Sequence, residues 1–186
     1  MRAYKTEIHP PPEQISKIRR TIGTCRFIYN FYITHNKQIY ANNGKFASAN
    51  TFSKWLNNEY LPNNPDKSWI KEVSSKSIKK SIVNAQTAYQ KFFDNVGGFP
   101  RFKKRRDQDV KMYFVKTDAT MIIKCERHRI KIPTLGWMHL KEYGYLPQEA
   151  IIKSGTVSEK AGRFYVSVVV DDNPKPKPIT NSNTTQ

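Results

Sequence analysis

The chain has 186 residues, and its 32 lysines and arginines exceed its 15 aspartates and glutamates to give a formal net charge of +17 at pH 7. This excess favours a nucleic-acid partner over a merely solvated basic surface or anionic lipid, because cations near phosphates release condensed counterions. Aromatic residues make up 12% of the chain, too many for a disordered basic tail, and the absence of a run of about 18 apolar residues excludes a transmembrane helix.

The first 44 residues predict a strand followed by a helix. Apolar and polar residues alternate over Arg2–His9, and three prolines then end the strand. From Glu13 the apolar residues recur at helical spacing, which predicts one long helix, or two with a bend near Gly23. Asn42-Asn43-Gly44 is a typical helix end.

The next part of the chain is also helical. A short helix is predicted over Ala49–Glu59, then a loop over Leu61–Asp66 with two prolines, and a single packed turn at Trp69-Ile70. Ser74 or Ser75 caps a further helix, which Gly97-Gly98 ends.

After residue 107 the hydrophobic period changes from 3.6 to 2, which indicates short strands. Ala161-Gly162 lies between two of them and predicts a hairpin turn. Asn173–Gln186 is a linker or disordered tail. The predicted strands are Val110–Val115, Met121–Lys124, Arg129–Ile132, Gly136–Leu140, Ala150–Val157 and Phe164–Val170.

A leading strand needs partners for its edges, so the order of elements predicts an α+β fold in which an inserted helical bundle interrupts a small antiparallel β-barrel. The predicted divisions are 1–10 for the first barrel strand, 11–97 for the helical insert, 98–107 for a basic connector, 108–172 for the rest of the barrel and 173–186 for the tail.

The densest basic run is GFPRFKKRR, Gly98–Arg106. Closely spaced cations suit a phosphate backbone, and the interleaved Phe99 and Phe102 either stack on unpaired bases or anchor the run as buried residues. The predicted phosphate-binding residues of this run are Arg101, Lys103, Lys104, Arg105 and Arg106.

Two helices carry further basic faces. Lys76, Lys79 and Lys80 lie away from the apolar stripe of their helix, on a face that either enters a DNA groove or is simply solvated. On the first helix, Arg19 and Arg26 are predicted to contact phosphate, with a structural ion pair as the alternative for the half-buried Arg26.

Catalytic and metal-binding patterns are missing. The four histidines are scattered, Cys25 and Cys125 form no CxxC pair, and Asp171-Asp172 is unconvincing as a metal site. We therefore predict no catalytic residues, metal or cofactor in this chain. Reduced thiols and the lack of an apolar signal core predict a cytoplasmic protein with no membrane partner.

Five blocks, in order, resemble the TnpB/OrfB family of transposon proteins, which are RNA-guided DNA nucleases related to type V CRISPR effectors. The match runs from about Tyr4 to Val170. The resemblance implies that the strands form an OB-like wedge barrel and the helices a recognition lobe, historically labelled helix-turn-helix. The blocks are TCRFIYN, SWIKEVSSKSIKKSIVNAQTAYQKFF, GFPRFKKRR, IKIPTLGWMHLK and VSEKAGRFYVSVVV.

The resemblance also implies the partners, a guide RNA scaffold and double-stranded target DNA. By position, the DNA-motif-reading helix begins at Ser75, so Ser75, Lys76 and Lys79 become candidates for DNA contact, although both lysines depart from the family's usual residues. Ser53, Lys116 and Thr117 occupy similar contact positions.

In the family, a RuvC-like nuclease with three metal-binding acids and a zinc-finger insertion follows the last strand. This sequence stops at Gln186 in its place. We therefore expect a truncated protein that binds RNA and DNA without cutting, either a regulator or a decayed remnant. The alternatives are one part of a split nuclease whose RuvC part is encoded separately, and a basic RNA-binding barrel unrelated to transposons.

Overall fold

The computed structural model describes residues 1–116, 123–147 and 151–171. Strand β1 covers Arg2–His9, as predicted, and α1 is one unbroken helix over Pro12–Asn43. Gly44 ends α1 in the left-handed conformation (φ 63°) and donates its N–H to the carbonyl of Tyr40, as its position after the last helical residues predicts.

The chain after α1 stays helical through a segment predicted as a loop. Helix α2 spans Ala49–Trp55, a π-helical turn follows at Leu56–Tyr60, and α3 is the single turn Leu61–Asn63. A 3₁₀-helix then covers Pro65–Glu72. The loop prediction for Leu61–Asp66 is therefore wrong, because each proline lies in a first helical turn, where its missing N–H costs no hydrogen bond.

Helix α4 covers Ser75–Phe93, with Asp94 as its C-cap residue, and so ends four residues before the predicted stop at Gly97-Gly98. Asn95 already has a positive φ of 57°, so the chain leaves the helix without a glycine. Ser74 is the N-cap residue, but its side chain makes no capping hydrogen bond.

Five further strands join β1. They are β2 (Met112–Val115), β3 (Arg129–Ile132), β4 (Gly136–Leu140), β5 (Ile151–Lys160) and β6 (Arg163–Asp171). The predicted Met121–Lys124 strand lies partly outside the described residues, and Ala150 and the predicted tail lie entirely outside them. Cys125 contributes an isolated bridge to Ile130.

The described strands form one curled antiparallel half-barrel sheet in the order β2-β5-β6-β1-β4-β3. The leading strand β1 lies between β6 and β4, so it obtains partners on both edges from residues more than 120 positions away. Ala161 (φ 50°) and Gly162 (φ 75°) form the predicted hairpin turn between β5 and β6. The predicted α+β class, with helices inserted into an antiparallel sheet, is confirmed.

Two buried clusters fill this fold, and α1 takes part in both. Ile18 is fully buried in the sheet cluster, against which Ile15 and Ile22 also pack. Further along the same helix, Ile28 and Tyr32 are fully buried in the cluster among the helices. One helix therefore fixes the position of the helical part relative to the sheet.

In the described part of the sheet, Gly155 lies where a side chain would clash. A Cβ on Gly155 would overlap the Phe114 ring of the neighbouring strand β2 and lie 2.6 Å from the carbonyl oxygen of Ser167 on β6. The Phe114 ring therefore occupies the space that a side chain at position 155 would take, a constraint set by contacts distant in sequence.

Candidate nucleic-acid interface

The basic connector, residues 98–107, is held against α1 by one asparagine. The Asn30 side-chain amide donates to the carbonyl of Lys103 at 3.0 Å, and the backbone N–H of Lys103 donates to the Asn30 Oδ1 at 2.8 Å. A side chain that satisfies both backbone groups of one residue fixes that residue as a neighbouring strand would. Lys104 and Arg105, which follow Lys103, are thereby placed beside α1.

The end of the connector is fixed by a second amide. Gln108 adopts a left-handed conformation (φ 49°), and its Oε1 accepts the N–H of Ala161 in the β5–β6 turn at 2.9 Å. The connector thus spans from the helical part to the sheet with defined contacts at Asn30 and Ala161.

A cleft of about 380 Å³, hereafter the α1 cleft, opens between α1, the connector and the end of β5. Four cations line it against one carboxylate, so its net charge is strongly positive. Its lining residues are Arg19, Ile22, Arg26, Lys104, Arg105, Gln108, Val110 and Glu159.

The one carboxylate of the α1 cleft is already occupied. Glu159 accepts two hydrogen bonds from the Nε of Arg19 at 3.1 and 3.2 Å and one from its Nη2 at 2.6 Å. This pairing raises the pKa of Arg19 further above its usual value. The guanidinium also lies over the Phe164 ring, 5.6 Å from its centroid. Arg19 therefore has a structural pair in this state, and its predicted phosphate contact stays a prediction.

The other three cations of the cleft have no such partner. Within the described ranges, Arg26, Lys104 and Arg105 form no ion pair, and Arg26 is half-buried between α1 and the connector. Lys104 and Arg105 are exposed and Arg26 is half-buried, so an anion that binds among the three would reduce their mutual repulsion. The cleft has the chemistry of a phosphate site.

A second cavity, of about 440 Å³ and hereafter the α4 groove, lies between α4 and the strands β2 and β5. Two serines fix α4 beside it: Ser77 donates to the carbonyl of Tyr113 and Ser81 to that of Cys25, each at 2.5 Å. Its lining residues are Tyr29, Ser77, Lys80, Ser81, Asn84, Thr87, Ala88, Lys91, Lys103, Asp109, Val110, Lys111, Tyr113 and Thr156. Val110 lines both cavities, so the α1 cleft and the α4 groove adjoin.

Three of the predicted DNA-contacting residues lie on an exposed face of α4. Ser75, Lys76 and Lys79 are exposed on the first turns of α4, and none of them forms an ion pair in the part of the chain that the structure describes. Lys80, on the same helix, turns into the α4 groove with its Nζ 5.7 Å from the Tyr113 ring centroid.

The remaining predicted DNA contacts are separate from α4. Ser53 is half-buried on α2, and its carbonyl accepts from the Asn57 side chain at 2.7 Å. Lys116 is exposed just after β2, where its N–H donates to the carbonyl of Lys153 at 3.1 Å. Thr117 lies outside the described residues.

The remaining connector residues point in several directions. Arg101 is exposed, and Arg106 is exposed with its Nε 3.6 Å from the Asp107 carboxylate. Phe99 is 42% exposed, with its ring edge against Tyr89, and Phe102 is 50% exposed. The alternative in which both phenylalanines are buried anchors is therefore wrong.

Sequence reasoning missed the residues that shape this surface. Asn30, Gln108 and Glu159 carry no basic charge, yet they determine where the cations lie. Of these three residues, only Asn30 could have been noticed in the sequence, because it is a polar residue at the end of the otherwise apolar FIYN segment.

Other chemistry is sparse in the described ranges. They contain no group of three or more His, Cys, Asp or Glu side chains placed to hold a metal ion, and no helix among them is long and apolar enough to cross a membrane. Burial raises the pKa of Cys25 to about 12 and that of Cys125 to about 11, and both thiols are free.

A known domain family matches the first part of the chain. The family HTH_OrfB_IS605, described as a helix-turn-helix domain, matches residues 1–45. In the structure that segment contains β1 and all of α1, so the turn to a second helix comes only after Gly44.

Three curated proteins resemble the chain. "Putative RNA-guided DNA endonuclease InsQ" of Escherichia coli K12 is 29% identical over 170 residues, which are 90% of this chain and 40% of that protein. "Putative RNA-guided DNA endonuclease" of Streptomyces pristinaespiralis is 25% identical over 97% of this chain and 44% of that protein. "Virulence protein VsdF" of Salmonella dublin is 26% identical over 56% of this chain and 94% of that protein.

The chain therefore spans less than half the length of the two endonuclease-named relatives. One family resemblance is supported by three observations: the ordered sequence blocks, the matching domain at residues 1–45 and relatives that align over nine-tenths of the chain. The chain therefore resembles the TnpB/OrfB family.

Proposed function

We propose that this chain binds nucleic acid, holding a guide RNA scaffold with the α1 cleft and the connector and reading target DNA with the first turns of α4. The observation that carries the proposal is the α1 cleft, where Arg26, Lys104 and Arg105 converge without a carboxylate partner in the described ranges. A phosphate between them releases condensed counterions and relieves the repulsion among the three cations.

The two parts of the surface suit different tasks. A cleft that encloses phosphate with half-buried arginine recognises a backbone, because the planar guanidinium binds phosphate oxygens bidentately. The exposed Ser75, Lys76 and Lys79 lie at one helix end, and neither lysine forms an ion pair with a described residue, as suits a helix that enters a DNA groove.

We further propose that cleavage requires acids that this chain does not supply and that the chain acts by binding. Cutting by this chemistry uses carboxylates that hold two cations. The endonuclease-named relatives are more than twice as long as the aligned region. That observation favours, as a second candidate, a chain that works together with a separately encoded RuvC-like nuclease part.

The binding proposal is tested by the salt dependence of RNA affinity. The full chain and the variant R26Q/K104Q/R105Q are titrated against a labelled single-stranded RNA over a range of NaCl concentrations. Each single-strand phosphate contact contributes about 0.7 to the slope of log K against log salt, so the variant loses about 2 units of slope. The matched control, K71Q/K124Q/K131Q, removes the same charge from exposed lysines that line neither cavity.

We expect the control to keep most of the slope and the cleft variant to lose about 2 units of it. Equal losses in the two variants would mean that only the overall charge matters and that the cleft is no site. A wild-type slope near zero would refute phosphate-dominated binding altogether.

A further inference from the structure

The α4 groove differs in chemistry from the α1 cleft. The apolar residues of the cleft are Ile22 and Val110, whereas the groove is lined by two tyrosines as well as by cations and amides. A cavity of about 440 Å³ is within the range that holds small ligands. Because Ser77 and Ser81 fix α4 to backbone carbonyls of β2 and α1, the groove is formed before any ligand arrives.

The cations of the groove are mostly without partners. Its single acid, Asp109, pairs with Lys103 at 2.5 Å and so raises the pKa of that lysine. Lys80, Lys91 and Lys111 form no ion pair with any acid that the structure describes. The groove is therefore suited to an anionic ligand.

The groove also offers a ring face and an amide at its α4–β2 end. Tyr113 is half-buried and projects from β2 on the side opposite the buried Met112 and Phe114, towards α4. Asn84 lies one helical turn beyond Lys80 on the same face, and its exposed amide makes no hydrogen bond in the described structure. A ring face beside a free amide is the combination that recognises an unpaired base.

We propose that the α4 groove binds one unstacked nucleotide of a single strand, with the base against Tyr113 and Asn84 and the flanking phosphates at Lys80, Lys91 and Lys111. The proposal rests on the nucleic-acid binding proposed above. The adjoining α1 cleft, whose described lining residues include no aromatic one, holds only backbone. Because every base has a π face, the groove distinguishes single strands from duplex without reading sequence.

The test compares single-stranded RNA, single-stranded DNA and duplex DNA of one length. The groove variant Y113V/N84A removes the ring and the amide but no charge, and valine suits a strand. Loss of a base stack weakens binding about 5- to 150-fold. We expect a loss of about tenfold or more for single strands, an unchanged salt slope and duplex affinity within about twofold. The matched control, Y143V/N63A, changes an exposed tyrosine and an exposed asparagine that line neither cavity.

The possible outcomes separate the two proposals. If wild type binds and R26Q/K104Q/R105Q lowers its slope, but Y113V/N84A changes nothing or weakens single strands and duplex equally, the groove proposal is wrong while the cleft stands. If wild type binds no nucleic acid, both fail. The single-strand arm with the larger loss identifies the strand that enters the groove.

A second measurement uses the wild-type chain and therefore does not depend on whether a variant folds. Oligonucleotides that carry 5-iodouracil, as RNA and as DNA, are cross-linked to wild type by ultraviolet light, and the modified peptides are mapped by mass spectrometry. The proposal requires cross-links at Tyr113. Cross-links confined to the exposed Phe99 and Phe102 would overturn it.

Discussion

Removing the charge of Glu159 should strengthen RNA binding, whereas most mutations in a binding site weaken it. Among the described residues, Glu159 is the only carboxylate that lines the α1 cleft, and it holds Arg19 through three hydrogen bonds. In Glu159→Gln the amide oxygen still accepts one of these bonds, so Arg19 keeps its place over Phe164 while it loses its counter-charge. We expect tighter RNA binding.

The size of the gain follows from counterion release. If Arg19 becomes free to contact one more phosphate, the slope of log K against log salt steepens by about 0.7. At about 0.15 M salt this increment corresponds to about 0.6 in log K, or roughly a fourfold higher affinity. Because Arg19 is largely exposed, the melting temperature should change little.

The assay is fluorescence anisotropy with a labelled single-stranded RNA at several NaCl concentrations. The control, Glu72→Gln, makes the same chemical change in the pair with Arg20 (2.9 Å), which lies on the same helix but lines neither cavity. Destabilisation cannot imitate an increase in affinity. If E159Q binds RNA no more tightly than E72Q, the α1 cleft is not where phosphate binds.

Three further predictions concern packing and position. Gly155→Ala should destabilise the fold by about 1–3 kcal/mol and lower the melting temperature by about 3–10 °C, and a change within one degree by circular dichroism would contradict the close packing of β5. Asn30→Ala should weaken RNA binding several-fold although it removes no charge, because the connector loses both hydrogen bonds that place it; unchanged affinity at unchanged melting temperature would show that this anchoring is irrelevant. Cys25 and Cys125 should resist iodoacetamide at pH 8 until the chain is denatured, because their raised pKa values, about 12 and about 11, leave about 0.1% thiolate or less; rapid alkylation of the native protein would contradict their burial.

The regular elements were predictable because they follow from local patterns. The alternation over Arg2–His9, the period of α1 and its end at Gly44 each depend on residues within a few positions. The segment around Leu61–Asp66 was mispredicted for an equally local reason. Prolines that usually indicate a loop also fit a first helical turn, and consecutive short helices place each proline there.

The cations of the interface were predictable as a set, but their arrangement was not. Composition and the GFPRFKKRR run identify Lys104 and Arg105 as candidates. Nothing in the local pattern indicates that Arg19 meets a carboxylate 140 positions away or that Asn30 holds a backbone 73 positions away. Those contacts depend on the topology of the sheet and the insert.

Helix α1 is the physical reason that the scattered cations become a site. Its apolar face packs on the sheet through Ile18 and among the helices through Ile28, so the helix can neither rotate nor slide without opening both clusters. Arg19 and Arg26, seven residues and thus about 10.5 Å apart along the axis, are held on one face by that packing. Asn30, one turn further on, places the connector opposite them. The charge supplies attraction to a polyanion, but the shared helix determines where the phosphates can lie.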